Sequence, residues 1–272
     1  MRGLFFRAFG GPDVLKFGEL PDPVERPGCA IVKMHAIGLN FADVYRRRGS
    51  YHLAGNPPWI LGYEGAGTVE SIAPPLEAAG AVAPAAWTFS VGDRVAFADA
   101  PFANAERVSV PLERLVPVPA ELDLDTAAAV LLQGLTAQYL IRDSHRLQSG
   151  EVALVHAAAG GVGLLLVQLA RSAGARVIGL TSNESKRLAA LEAGADTVLL
   201  YGADWLEGVR AATSGRGVDV AFDSVGSTLA TSLAATRIGG HAVFFGMAGG
   251  DPEPIDPRLL MDGSKSLTGG DL

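Results

Sequence analysis

Hydrophobic positions are spaced differently in the two halves of the chain. Up to about residue 120, apolar residues come in short runs that partly alternate with polar ones and are separated by Gly and Pro. Cys29-Ala30-Ile31-Val32-Lys33-Met34-His35-Ala36 follows the turn pair Pro27-Gly28, and Gly65-Ala66-Gly67-Thr68-Val69-Glu70 is a second such run. Val91-Gly92-Asp93-Arg94-Val95 carries a Gly-Asp turn into a third. Runs of this kind predict β-strands joined by turns. In residues 73–86 Ala and Pro dominate and periodicity disappears, which predicts an exposed loop of low complexity.

Beyond Pro119 the pattern changes. Asp125 is placed to cap a helix over 126–132, and a second helix is predicted from about 135 to 145. From Val152 onward, apolar runs at 152–156, 176–181, 197–201, 218–223 and 241–246 alternate with helical segments. Strands that are apolar throughout are what a parallel sheet covered on both faces requires. The expectation is an α/β chain: a β-rich domain over 1–122, then a doubly wound sheet over 123–272.

Composition fits packed cores, with 49% hydrophobic and 19% charged residues, and disorder is not expected as the general state. The formal net charge is −7, from 22 Lys and Arg against 29 Asp and Glu, so a nucleic-acid partner is not expected. The single Cys29 cannot form an intramolecular disulfide and fits a reducing cytoplasm. Arg7 interrupts the N-terminus before a signal-peptide core develops. The apolar stretch 152–170 approaches membrane-span length but holds His156 and Gly160-Gly161, so it reads as strand, turn and helix. A soluble, cytoplasmic protein is expected, with no membrane partner.

The turn after the first of these strands carries the candidate chemistry. Val152-Ala153-Leu154-Val155-His156 leads into Ala157-Ala158-Ala159-Gly160-Gly161-Val162-Gly163 and then a helix over 164–174. Against the dinucleotide fingerprint, Ala158 stands at the first glycine place, Gly160 lets backbone approach a pyrophosphate, and Gly163 permits close helix–strand packing. Free N–H groups at the helix start would face the phosphates. A tight turn without nucleotide is the plainer alternative. The second strand ends Gly179-Leu180-Thr181-Ser182-Asn183 with no acid for ribose hydroxyls, and Lys186-Arg187 follow. A cation on a 2′-phosphate contributes about 1.5–3 kcal/mol, enough to set a preference for NADPH. Lys186 also reads simply as part of an exposed helix face.

Several stretches together resemble the quinone oxidoreductase (zeta-crystallin-like) branch of the medium-chain dehydrogenase/reductase superfamily. They are Gly10-Gly11-Pro12-Asp13-Val14-Leu15, Gly38-Leu39-Asn40-Phe41-Ala42-Asp43-Val44-Tyr45, Gly62-Tyr63-Glu64-Gly65-Ala66-Gly67, Val91-Gly92-Asp93-Arg94-Val95, the glycine turn with His156, and Asp223-Ser224-Val225-Gly226. The resemblance implies a GroES-like β catalytic domain, a Rossmann NADP-binding domain and a nicotinamide in the cleft between them. It places Ser182, Lys186 and Tyr201 at the adenosine phosphate, and Asn40, Thr136 and Phe245-Gly246-Met247 around the nicotinamide. Gly160, Gly161, Val162 and Ser224 complete the cofactor set. Tyr201 also reads as an ordinary β-rich aromatic. A homodimer is the family expectation.

Zinc enzymes of that superfamily use Cys and His ligands, and catalytic zinc needs three protein ligands with an open position. Here Asn40 stands at the first Cys place, Gly62-Tyr63-Glu64 replaces Gly-His-Glu, and no Cys lies near Gln133. His35, His52, His145, His156 and His241 are scattered without ligand spacing, as strand or surface histidines. No metal is expected. The chemistry that remains is hydride donation to an already activated acceptor, a quinone or an α,β-unsaturated carbonyl. Tyr45 and Tyr51 are candidate proton donors, Asn40 a hydrogen-bond donor, and Asp43 an orienting residue. Tyr51 reads equally as an aromatic lip beside Gly49 and Gly55. Arg46-Arg47-Arg48 reads as a solvated turn, with steering of an anionic cofactor as the alternative.

Relatives continue for several dozen residues past Leu272, so an unpaired sheet edge near a sixth Rossmann strand and weak cofactor binding are expected. The readings left open are an NADPH:quinone reductase, an enoyl or alkenal double-bond reductase, and a non-catalytic NADPH-binding protein.

Overall fold

The computed structural model describes residues 1–73, 88–202 and 204–270. Apart from Ala73, the Ala/Pro-rich segment lies outside the described residues. The chain divides into two compact units, Met1–Leu132 and Gln133–Leu272.

In the first unit the punctuated runs form strands β1 (Arg2–Phe6), β2 (Lys16–Glu19), β3 (Cys29–Ile37), β4 (Trp59–Ile60), β5 (Glu64–Ala73), β6 (Arg94–Ala98), β7 (Arg107–Pro111) and β8 (Leu115–Pro117). β1 carries β2 and β4 on its two sides, and a five-stranded sheet runs in the order β7-β3-β5-β6-β8. All its pairings are antiparallel. The β3–β5 ladder is close at Gly67, where a Cβ would come within 2.1 Å of the Lys33 carbonyl oxygen. The expected Gly-Asp turn is present, with Gly92 at φ +94°, the left-handed region that favours glycine. Val32, Val69, Val95, Phe97 and Leu115 close the core between these strands.

Among the described residues, α1 (Phe41–Arg48) and α2 (Leu124–Tyr139) are the α-helices of this unit, and α2 contains the boundary between the units. The two short helices expected over 126–132 and 135–145 are one continuous helix that widens into a π-turn over Leu140–Ser144. Gly134 does not break it, since one glycine among good helix formers costs only about 1 kcal/mol. Its start is capped by Asp123, not Asp125. The Asp123 carboxylate accepts the Thr126 N–H at 2.6 Å and the Thr126 hydroxyl at 2.9 Å. Asp125 instead lies 3.5 Å from the His35 ring.

The second unit is the doubly wound sheet. β9 (Val152–Val155), α3 (Gly161–Ser172), β10 (Arg176–Thr181), α4 (Glu184–Glu192), β11 (Thr197–Leu200), α5 (Trp205–Ala212), β12 (Val218–Asp223), α6 (Leu229–Ala235), β13 (Thr236–Phe244), α7 (Arg258–Met261) and β14 (Ser266–Gly269) alternate along the chain. Six strands lie parallel in the order β11-β10-β9-β12-β13-β14. The apolar run of β9 explains itself here. Ala153 and Val155 enter one hydrophobic cluster, while Val152 and Leu154 enter the other, on the opposite face of the sheet. β13 begins earlier than its apolar stretch predicts. Arg237 to Gly240 belong to it but carry a register shift against β12, with Gly239 at φ +67°. Strand order reverses between β9 and β12, the switch point at which open α/β sheets bind ligands.

Candidate functional site

Beyond β9 the chain must reverse into α3 with its backbone exposed toward a ligand. Ala157 takes φ +46°, the Gly160 N–H donates to the Ala157 carbonyl at 2.7 Å, and the Ala158 N–H donates to Leu180 at 3.0 Å. α3 starts at Gly161, three residues before the expected start, because the glycines form its first turn. A Cβ on Gly163 would lie 2.2 Å from the Ala157 carbonyl oxygen, and one on Gly161 would lie 2.0 Å from the Gln133 amide oxygen. Gly163 therefore excludes any side chain, because it meets fixed backbone, whereas a side chain at Gly161 would have to displace the Gln133 amide. Gly160, at the N-cap, offers no capping side chain, and the first turn holds no acid. The opening of α3 thus keeps its N–H groups and positive dipole end for an anion. Gly160, Gly161 and Val162 are the residues that could hold a pyrophosphate here.

At the end of β10, Ser182 is exposed and Asn183 caps α4 by accepting the Lys186 N–H at 3.0 Å. The adjoining cations differ. Arg187 is held by Glu184 through two bonds, at 2.7 and 2.6 Å, whereas Lys186 is exposed and its ammonium makes no bond among the described residues. Tyr201, just past β11, turns its hydroxyl to the glycine turn and accepts the Ala157 N–H at 3.0 Å. Burial raises that phenol well above its ordinary value, so it stays protonated. The loops after β12 and β13 are joined to each other. The Phe245 N–H donates to Asp223, Ala248 to the Ser224 carbonyl and Gly249 to that of Val225. Gly246 lies so close that a Cβ would meet the Ser224 carbonyl oxygen at 3.0 Å. Phe245, Gly246 and Met247 follow β13 directly, and Thr136 is a half-buried residue of α2.

In the first unit, Asn40 caps α1, and its N–H donates to the Asp43 carboxylate at 3.2 Å. Its amide nitrogen donates to Glu64 Oε2 at 2.8 Å, and the other Glu64 oxygen accepts the Leu132 N–H at 2.6 Å. Glu64 is fully buried, and burial raises its carboxyl above the ordinary value despite these bonds. Gly38 is required beside it, since a Cβ there would sit 2.1 Å from Glu64 Oε2. From sequence Glu64 has no role of its own; its motif counts toward the family resemblance and for lacking a histidine. Its place between Gly62 and Gly65 was the available signal.

Tyr45 and Tyr51 are half-buried, with ring centroids 6.4 Å apart, and Tyr51 lies 4.1 Å from the His52 ring. The expectation of a solvated arginine turn fails for Arg46 and Arg47, which are 4% and 8% exposed, and holds for Arg48. On α1, Arg46 stands one turn after Asp43 and pairs with it at 3.3 Å, lies 3.5 Å over the Tyr63 ring, and donates to the His52 carbonyl. Arg47 donates to the Gly10 carbonyl at 3.2 Å. Burial also raises the Asp43 carboxyl, against the pull of the Asn40 N–H and of Arg46. His156 is neither a surface residue nor part of β9; it is buried directly beneath the glycine turn. Among the described residues, no group of three or more His, Cys, Asp or Glu is placed to hold a metal ion, and no helix is long and apolar enough to cross a membrane.

A GroES-like β-unit followed by a doubly wound nucleotide-binding unit defines the medium-chain dehydrogenase/reductase class. Residues 26–149 match the alcohol dehydrogenase GroES-like domain, and residues 161–271 match the family described as zinc-binding dehydrogenase. The chain is 41% identical over 258 residues to a quinone oxidoreductase of Pseudomonas aeruginosa, covering 94% of this chain and 76% of that one. It is 39% identical over 260 residues to a 2-haloacrylate reductase of Burkholderia, covering 93% and 74%. Its structure resembles that of Escherichia coli quinone oxidoreductase in complex with NADPH, with a TM-score of 0.92 and 33% identity over 100% of this chain and 81% of that one. The chain belongs to the quinone oxidoreductase branch of the medium-chain dehydrogenases/reductases.

Proposed function

We propose that this protein is an NADPH-dependent reductase that transfers hydride to a quinone or similarly activated carbonyl without using a metal. The observation that carries the reading is the pairing of an uncapped glycine cradle at α3 with an acid-free β10 terminus that presents Lys186. When bound, NADPH supplies the hydride. The chain's own residues then bind, orient and exclude water. The α3 turn takes the pyrophosphate through Gly160, Gly161 and Val162, and Lys186 with Ser182 takes the adenosine 2′-phosphate. The ring of Tyr201 flanks that site. In the second unit, Thr136, Ser224, Phe245, Gly246 and Met247 are the residues that take the nicotinamide. Asn40, fixed by Glu64 and Asp43, donates a hydrogen bond to the acceptor oxygen, and Tyr45 or Tyr51 delivers the proton.

The zinc-free reading rests on Asn40 and Tyr63 standing where zinc relatives carry ligands. A homodimer in the cytoplasm belongs to the same proposal, supported by the family resemblance and the lone Cys29; sedimentation tests the dimer. The deciding experiment follows loss of NADPH absorbance with benzoquinone, phenanthrenequinone and a short alkenal as acceptors, NADH being run in parallel. Quinone-dependent oxidation that prefers NADPH and survives chelation is expected. Turnover of the alkenal alone would overturn the acceptor class, and binding without turnover would overturn the enzyme reading.

A further inference from the structure

Beneath the glycine turn, buried polar groups lie close enough to share their protons along one path. His156 is 1% exposed, and Asp223 and Ser232 are fully buried. The Ser232 hydroxyl has one proton, and the charged Asp223 Oδ2 at 2.5 Å takes it ahead of the Thr228 carbonyl at 3.1 Å. Its contact with His156 Nε2, at 2.9 Å, is therefore one in which the serine oxygen accepts. The imidazole thus carries hydrogen on Nε2 and offers a lone pair at Nδ1. The Thr228 hydroxyl is committed to Asp223 Oδ2 at 2.7 Å, which leaves the Tyr201 hydroxyl, 3.2 Å from Nδ1, as the donor there. The phenol oxygen in turn accepts the Ala157 N–H. The other Asp223 oxygen accepts the N–H groups of Val225 and Gly226, at 2.8 and 3.0 Å. One directed chain thus runs from the turn, through Tyr201 and His156, to a carboxylate anchored at the end of β12.

We infer that His156, held by Ser232 and Asp223, is a positioning residue that acts through the Tyr201 hydroxyl to keep the Ala157 end of the glycine turn in its dinucleotide-binding shape. The hydroxyl of Tyr201 accordingly serves the turn and not the adenosine 2′-phosphate. This rests on the dinucleotide-binding reading given above. Ala157 takes the left-handed backbone region that costs any residue with a Cβ, and its N–H bond to Tyr201 is what offsets that cost. Freeing the turn weakens the contact made to the pyrophosphate, a group that NADPH and NADH share.

Tyr201→Phe, nearly the same size, removes the hydroxyl alone. Fluorescence titration should show Kd raised about threefold to tenfold for NADPH and NADH by the same factor. The ratio of the two Kd values should stay unchanged. His156→Asn, whose amide oxygen can stand in for Nδ1, should restore most of the affinity that His156→Leu loses. Weakening of NADPH alone would place the hydroxyl on the 2′-phosphate and overturn the inference. Unchanged affinities with a lowered Tm would reduce the chain to a structural prop and overturn it as well. Wild-type protein that binds neither dinucleotide would instead overturn the functional reading itself.

Discussion

Lys186 and Ala157 carry separable consequences. Because Arg187 is tied to Glu184, Lys186 is the cation of that pair left for a 2′-phosphate. Lys186→Ala should raise Kd for NADPH by roughly tenfold to a hundredfold, from the loss of a charge-assisted bond, while NADH binding stays unchanged. Parallel titrations check it, and equal loss for both cofactors would remove Lys186 from the phosphate site. Ala157 at φ +46° bears a left-handed cost of about 1–2 kcal/mol, which Ala157→Gly would relieve at about 0.4–1 kcal/mol of added unfolded-chain entropy. A net stabilisation below about 1 kcal/mol is expected in the denaturant midpoint. The reversal at the glycine turn and the exposed place of Lys186 were legible in the sequence because both are local, set by a few consecutive residues. The burial of Arg46 and Arg47 was not, since it depends on Tyr63, His52 and Gly10, brought up by other parts of the chain.

Among the elements, Glu64 at the start of β5 joins the N-cap of α1 to the middle of α2. Glu64→Ala would leave the Asn40 amide and the Leu132 N–H without their acceptor, each at about 1–3 kcal/mol. Glu64→Gln keeps one acceptor oxygen and should cost less than Glu64→Ala; thermal melts of the two variants would rank them. Both should lower turnover more than NADPH affinity if Asn40 orients the acceptor. Strand periods were readable wherever the apolar run and the ladder coincide, as in β12. They failed in β13, where Arg237 to Gly240 belong to the strand without an apolar pattern and lie in its register shift against β12. The single helix α2 was missed because Gly134 looks like punctuation in sequence, whereas the turns on either side keep it helical. The Asp123 cap was missed for the related reason that Asp123 and Asp125 are indistinguishable until the helix start is fixed.

At the scale of the molecule, the buried titratable groups of the two units respond to acid in opposite directions. In the second unit, burial holds His156 below the ordinary histidine value of 6.5 against the pull of Asp223, and burial with His145 does the same to His241. As pH falls through 6.5 the unfolded chain takes protons that these folded imidazoles refuse, so their contribution, whole above 6.5, declines. Asp219 and Asp223 are depressed as well. Burial would raise both, but Arg216 and Arg237 outweigh it at Asp219, and His156 with the bonds from Ser232, Gly226 and Thr228 outweighs it at Asp223. Their contribution is whole above the ordinary value of 3.8 and is lost as pH drops through their folded values. In the first unit, burial raises Asp43 and Glu64 above 3.8 and 4.5, so their contribution is whole below those values and fades as pH rises through the folded ones. Exposed ion pairs are screened by solvent and decide little. Amide hydrogen exchange between pH 7 and pH 4 should therefore show β9 and β12 losing protection at higher pH than β3 and β5. His156→Asn, with no imidazole to titrate, should shift the loss in β9 and β12 to lower pH. Simultaneous loss in both sheets, untouched by that substitution, would mean that acid acts through net charge and not through these buried groups.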